Sequence, residues 1–492
     1  MKIWFDGTIA EGDFRGMQLT IKNRIRAGIV CAALFFSMAA EVDPAMAQAP
    51  DSAAAIPTQS VPSPEEGQAD TLETPSAEEG KNDSLPLSRP ESPAPGDSAV
   101  SAPDGSVTSG TDSSAAPKAA VSVDSTVQKK RPVKKTPPPP PPPVTPPPVS
   151  PRALRYNAIY LNSGSVANDA LMDKFIQRVR GTAINGFVMD MKDDMGRLSW
   201  RSRLPLAALC GSNTRRVSDP TALVKKLHDN GLVACARVVS FKDPLLASYP
   251  GPDSAYPYAV LNSASGRPWE QDNGELWINP YDSRVQEYLI GVVEELLSFG
   301  FDQVQMDYIR FPTDGKIGHL KYPVVIDSLE KIEVISGFLS RIRQAVDKHD
   351  ASLSVDVFGW VPWLRKGREF NIGQDYDAIA RHADVVCPML YDSHFPKSFK
   401  SEYGRDRAYH IVREGTAKGV ERSGKRLTGV QPYIQGFNWR SPHWGTRYII
   451  QQMQAAEDSG AVGWIVWNAR NDYSETWKAL AERQSRTSTG AE

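Results

Sequence analysis

From Leu154 onward one pattern recurs: a short run of β-branched or aromatic residues, a loop, then a stretch whose apolar positions fall at helical spacing. The runs predict strands at 157–162, 186–192, 233–241, 301–310, 352–360, 384–391, 427–435 and 461–468. Helical periodicity occupies 170–180, 285–299, 329–349, 447–458 and 475–481, and Gly186, Gly231 and Gly300 stand where helices should stop. Strands alternating with helices predict an α/β fold with a parallel sheet. Eight such units predict closure into a (β/α)8 TIM barrel, whose active sites lie at the C-terminal strand ends. A doubly wound open sheet is the competing topology. It would carry a Gly-rich phosphate turn after the first strand, and Asn162-Ser163-Gly164-Ser165 is not one.

Before Leu154 the pattern lapses. Residues 48–151 hold almost no large apolar side chains and are dominated by Pro, Ser, Ala, Asp, Glu and Gly, so burial cannot offset the entropy of ordering them. A disordered linker is expected there. Within it, Lys129-Lys130-Arg131 and Lys134-Lys135 lead into the proline runs 137–143 and 146–148. Serial prolines favour a polyproline II rod rising ~3.1 Å per residue. The arm reads as a solvated tether; the functional alternative is a spacer whose basic cluster touches cell-wall or envelope polymer.

The first 47 residues read as an export signal: Lys22, Arg24 and Arg26 precede an apolar stretch at 27–40, and Ala45-Met46-Ala47 supplies a small-x-small cleavage site. Met17 is a candidate true start. An apolar run of about 14 residues is short of the ~20 that a spanning helix needs. Cleavage after Ala47 is therefore expected, with a periplasmic, cell-surface or secreted product. The barrel should occupy 152–483, with 484–492 a disordered tail.

The formal net charge of −2 gives no electrostatic footprint for nucleic acid. Cys31 lies in the apolar run behind Gly28-Ile29-Val30, a poor lipoprotein box. Cys210, Cys235 and Cys387 cannot all pair, and two fall in predicted strands, so they read as buried small hydrophobes. With no C-x-x-C or H-E-x-x-H motif, no metal or cofactor is expected.

Barrel strands are buried on both faces, so a carboxylate within or just after one is costly unless paired. Several collect here. The second strand ends in Asp190, Lys192, Asp193 and Asp194; the fourth gives Asp302, Gln305, Asp307 and Arg310; the fifth gives Asp356. Tyr391, Asp392 and His394 follow the sixth, Gln431 and Gln435 lie on the seventh, and Trp467, Asn468 and Asp472 end the eighth. Alternation puts Gln305 and Asp307 on one face, and Asp356 on the neighbouring strand can meet Asp307 if both point inward. Two facing carboxylates suit glycosidic cleavage, which needs an acid and a base or nucleophile. Trp467 and Tyr391 would offer flat faces to sugar rings, while Asp190, Lys192, Arg310, Gln431, Gln435 and Asn468 would meet hydroxyls. In the structural alternative, Asp307 pairs with Arg310 or Lys192, and Asp190 pairs with Lys192, which points the same way. Asp302 begins its strand at the far end and reads as structural, and His394 and His443 read as loop residues.

The segments FVMDMKDDMGRLSW, FDQVQMDYIRFP, VDVFGW, ADVVCPMLYDSHFP and GWIVWNARNDYS, in this order, resemble the putative glycosyl hydrolase domain family. That resemblance implies a barrel from about Asn157 to Leu480. A more distant likeness is to the chitinase family, whose fourth strand reads D-x-x-D-x-D-x-E. The matching places here are Asp302, Gln305, Asp307 and Ile309, so the acid position is apolar and the chitinase mechanism does not transfer. Met389, Tyr391, Asp392 and Trp467 do match that family. By analogy with amylase-type barrels, Asp307 stands at the nucleophile position and Asp356 at the acid.

The expected function is a glycoside hydrolase or transglycosidase acting on an extracellular or envelope polysaccharide, with Asp307 and Asp356 as the working pair. Two alternatives stand beside it: a non-catalytic glycan-binding barrel, since no Glu sits at a strand end, and an envelope role resting on the arm. The long segment 242–282, with Trp269, Glu270, Glu275 and Trp277, is expected to roof the cleft and is a candidate source of the missing acid.

Overall fold

Inward-facing positions of the strands carry the charged and amide side chains, set among small and apolar ones such as Ala158, Val188 and Ile465, while outward-facing positions are apolar. In the structure, a computed structural model, residues 148–489 other than 273, 366–370 and 425 are described, together with Pro142 and Pro146. The expected export signal and nearly all of the arm lie outside the described residues.

Eight parallel strands close into a barrel. They are β1 Ala158–Leu161, β2 Gly186–Lys192, β3 Val233–Val239, β4 Gln303–Asp307, β5 Ser352–Phe358, β6 Val385–Met389, β7 in two pieces (Gly429–Val430 and Tyr433–Gln435), and β8 Ile465–Trp467. The register shows the closure: Ile465 of β8 pairs with Ala158 of β1 on one side and with Tyr433 of β7 on the other. Gln431-Pro432 interrupts β7, because proline has no N–H to give the ladder. Its carbonyl still accepts from Ile465 N at 3.0 Å.

The principal helices follow their strands: α1 Asp169–Val179, α2 Pro220–His228, α3 Ser283–Ser298, α4 Lys331–Val346, α5 Tyr376–Ala380, α6 Arg407–Ser423, α7 Thr446–Glu457 and α8 Ser474–Thr489. Local chemistry starts them. Asp219 accepts from Ala222 N at 2.9 Å while Pro220 opens α2, and Glu330 with Glu333 forms a capping box for α4. The last helix runs past the predicted 475–481. An Arg486–Glu482 ion pair one turn apart supports its extension.

Alternation sorts the two cores. Val304 and Met306 of β4, and Leu353 and Val355 of β5, face the helices in the main apolar core. Inside the barrel, polar residues satisfy one another: Tyr156 Oη donates to Gln303 at 2.6 Å and Tyr433 Oη to Gln305 at 2.5 Å. Cys235 and Cys387 are buried there as free thiols, and Cys210 is also free. Above β3 and β4, Leu261–Asn262 pairs antiparallel with Leu320–Lys321, over the buried indoles of Trp269 and Trp277. Among the described residues, no helix is long and apolar enough to cross a membrane.

Candidate active site

At the C-terminal end of β2, β3 and β4, three inward charges meet. Asp190 lies opposite Arg237 in the β2–β3 register, and Arg237 lies opposite Gln305 in the β3–β4 register. Asp307 therefore projects on the same face one pleat further on. Arg237 donates from Nη1 to Asp190, and from Nη2 and Nε to Asp307 Oδ2, the last at 3.0 Å. The second oxygen of Asp190 accepts from Tyr160 Oη, and that of Asp307 from Tyr308 N at 2.6 Å. Tyr308 adopts a left-handed backbone, with φ of 50°. Such conformations cost free energy in a bulky residue and concentrate where function fixes the chain.

Only 5% of each aspartate is exposed. Burial pushes the Asp190 carboxyl up to about 6, against the opposing pull of Arg237 and Tyr160. Asp356 of β5 goes further. It is wholly buried, and the hydrogen-bond donor beside it is a weak one, the Cys387 thiol. Burial first, then the neighbouring charge of Asp307, holds its carboxyl well above the usual range. Asp307, Arg310, Asp356 and Gln374 surround a cavity of about 10 Å³, roughly room for one water.

Above Asp190, Arg237 and Asp307 opens a cleft of about 690 Å³ with Tyr160, Tyr391, Phe437, Trp439, Trp444 and Trp467 in its walls. Tyr160 and Trp467 stack with centroids 3.8 Å apart. The Arg237 guanidinium lies 5.2 Å from the Trp467 ring and 5.6 Å from that of Tyr160. The floor is thus ionic and the walls aromatic, a combination that can hold a sugar face while presenting charge to its ring oxygen. Among the described residues, no group of three or more His, Cys, Asp and Glu side chains is placed to hold a metal ion.

Residues 158–473, most of the barrel, match the family described as putative glycosyl hydrolase domain. The chain belongs to this family. No curated protein sequence matches it significantly. Among solved structures, a hypothetical protein from Ruminiclostridium thermocellum is 31% identical over 40% of this chain and 97% of its own, with a TM-score of 0.36. The PgaB (BpsB) glycoside hydrolase domain from Bordetella bronchiseptica is 14% identical over 66% of this chain and 99% of its own, with a TM-score of 0.47. An α-galactosidase from Thermus thermophilus is 14% identical over 70% of this chain and 62% of its own, at 0.42.

In this glycosyl hydrolase domain, Asp190, Asp307, Tyr391, Trp467 and Asn468 all line the cleft. Asn468 is occupied, however: its Nδ2 donates to Gly436 O at 2.7 Å and to Asp472 O at 2.8 Å, fixing the turn after β8. Asp356 stands beside Asp307, as two inward aspartates on adjacent strands should, but it opens to the small cavity and not to the main cleft.

Four other expected contacts lie elsewhere. The β2–β3 register shifts between Asp190 and Lys192. Lys192 therefore does not share the aim of Asp190; its amine reaches Val239 O and Asp243, both at 2.8 Å, with no exposed surface. Arg310 is buried against Trp277 and Phe358, 4.6 Å from each ring, and bonds Phe311 O. Gln431 is wholly buried and donates to Tyr156 O at 2.7 Å. Gln435 is also wholly buried, with Nε2 reaching Phe437 O, Trp439 O and Ser441 Oγ. It shapes the aromatic wall from behind.

Further differences concern the surroundings. Glu275, a candidate acid, is ion-paired with Lys242, which also meets Asp194 at 3.2 Å. Glu270 is exposed, and no described residue of 242–282, expected to roof the cleft, lines it. Asp392 is ion-paired with Arg407 of α6. His394, expected as a solvated loop residue, is half-buried in the cleft wall with its imidazole pushed down to about 3 by burial and Arg440. Asp302 accepts from Ala234 N at 2.7 Å at the far end of the barrel, as a structural residue should. The residue absent from the sequence reading is Arg237. A single arginine in the apolar run VACARVV carried the same signal as the aspartates: a charge on a doubly buried strand requires a partner.

Proposed function

We propose that this chain is an exported glycoside hydrolase or transglycosidase acting on an extracellular or envelope polysaccharide. One observation supports this reading above others: a single guanidinium joins the Asp190 and Asp307 carboxylates side by side on the floor of an aromatic-walled cleft. Asp307 would attack the anomeric carbon or stabilise its oxocarbenium character. Asp190, with its raised pKa, would carry the proton to the leaving oxygen and later accept one from water. Asp356, the acid expected from sequence, has no surface in the cleft; behind Asp307 it would act on that carboxylate instead of on the sugar. Arg237 would balance the paired charges and hold their geometry.

Turnover of a glycan panel by the purified chain tests the reading, with Asp307→Asn as control. Loss of turnover in a folded variant supports it; no turnover by the unaltered chain on any member sinks it. A second reading is favoured by one observation. Both floor aspartates already accept hydrogen bonds from Arg237, Tyr160 and Tyr308, as they would in a binding cleft without chemistry. Retention on insoluble polysaccharide without cleavage would mark that case.

A further inference from the structure

The cleft's charge is one-sided. Its lining includes the carboxylates of Asp190, Asp193, Asp194, Asp307, Asp472 and Glu475 against the guanidiniums of Arg237 and Arg470. Arg237 directs Nε, Nη1 and Nη2 at Asp190 and Asp307, so its fork is already engaged and is not offered to an acidic sugar. His394 adds no positive charge near neutral pH. Other cations stand behind or outside the lining: Lys242 meets Asp194 at 3.2 Å, Lys478 meets Glu475 at 2.7 Å, Arg216 donates to Ser163 Oγ at 3.0 Å, and Arg440 stacks on Trp439 at 4.4 Å.

Two carboxylates of the lining keep exposed surface. Asp472 uses Oδ1 for Ser474 N at 3.0 Å and is itself exposed, and the Asp194 side chain is 36% exposed. A concave wall of one sign concentrates counter-charged ligand. Aromatic faces beside carboxylates add cation–π attraction for an ammonium group. Trp444 lines the same cleft, while Trp467 and Trp439 already have Arg237 and Arg440 near their rings.

On the proposed reading of this cleft as a glycan site, we infer that its glycan is cationic: a polysaccharide carrying free amino groups, in preference to N-acetylated, uronate or phosphorylated sugars. Acetylation removes the charge that the rim attracts, and uronates meet the rim's repulsion with only the exposed Arg470 guanidinium of the lining to receive them.

Calorimetric titration of the full chain with glucosamine oligomers, the matching N-acetylglucosamine oligomers and oligogalacturonate tests this, with cleavage followed in parallel. Glucosamine oligomers should bind roughly tenfold or more tighter than the acetylated series, a preference that shrinks with added salt. The rim variant Asp472→Asn/Glu475→Gln should narrow it. Equal or tighter binding of either other series, or no binding of glucosamine oligomers, overturns the inference. Cleavage of a neutral or acidic glycan in those circumstances would leave the hydrolase reading intact. Preferential binding of glucosamine oligomers without cleavage of any glycan would uphold the charge preference and remove the hydrolase reading.

Discussion

Arg237 Nε donates to Asp307 Oδ2 across 3.0 Å, binding β3 to β4 at the floor of the cleft. The same guanidinium holds Asp190 of β2, so three strands meet in one buried cluster. Removing one partner of a buried ion pair leaves uncompensated charge, which costs about 3–5 kcal/mol. Arg237→Met, which keeps volume but not charge, should lower stability by about that amount at neutral pH. Urea denaturation measures it, and a loss below about 1 kcal/mol would show that the cluster contributes little net stability.

Asp307→Asn keeps the shape and leaves Arg237 paired with Asp190. The fold should survive with a small change in melting temperature. Turnover should drop by roughly 10³-fold or more, since the charge at the reacting centre is gone. A folded variant with undiminished turnover would take Asp307 out of the mechanism.

The raised pKa of Asp190, about 6, sets a pH limb. A general acid works while protonated, so kcat/KM should decline as pH rises through about 6. Asp190→Asn should lose that limb along with most of the rate. A wild-type profile flat from pH 5 to 8 would mean that another group carries the proton.

Asp356 makes a prediction about stability. Its carboxyl lies well above the usual range in the folded chain, against about 3.9 when unfolded. The sign follows: its protonated form favours folding, so the stabilisation is full below about pH 4 and is lost as pH rises towards the folded value. Asp356→Asn should flatten the dependence of unfolding free energy on pH above about 4, seen in melts from pH 4 to 8. An unchanged slope would show that this carboxyl does not govern it.

Trp467 is half-buried, stacked on Tyr160 and exposed to the cleft. Trp467→Ala should weaken retention on insoluble polysaccharide more than it lowers stability; a wholly buried core indole would cost ~3–5 kcal/mol. A collapse in melting temperature with normal retention by the folded fraction would reverse that assignment.

Much of this geometry was legible in residue order. Period-two alternation placed Asp307 and Asp356 inward, because outward positions such as Val304 and Leu353 had to meet the helices. What could not be read was local register. A shift after Asp190 sends Lys192 to Asp243, a partner far along the chain, where unbroken alternation would have kept it beside Asp190. Gln431 and Gln435 look like sugar ligands until the break at Pro432 and the loop beyond it show which backbone groups require them. Arg237 differs: a lone cation in the run VACARVV implies a buried carboxylate partner, but residue order does not say which of Asp190, Asp307 and Asp356 it meets.

The amide of Gln435 has one further consequence. Its nitrogen fastens the loop bearing Phe437 and Trp439, while its oxygen accepts from Ser393 N at 3.0 Å in the turn bearing His394. Two walls of the cleft are thus tied to each other through one amide, beside their separate anchors at Arg407 and Asn468. They should loosen together, with the backbone amides of 393–395 and 437–441 exchanging hydrogen for deuterium at a common rate.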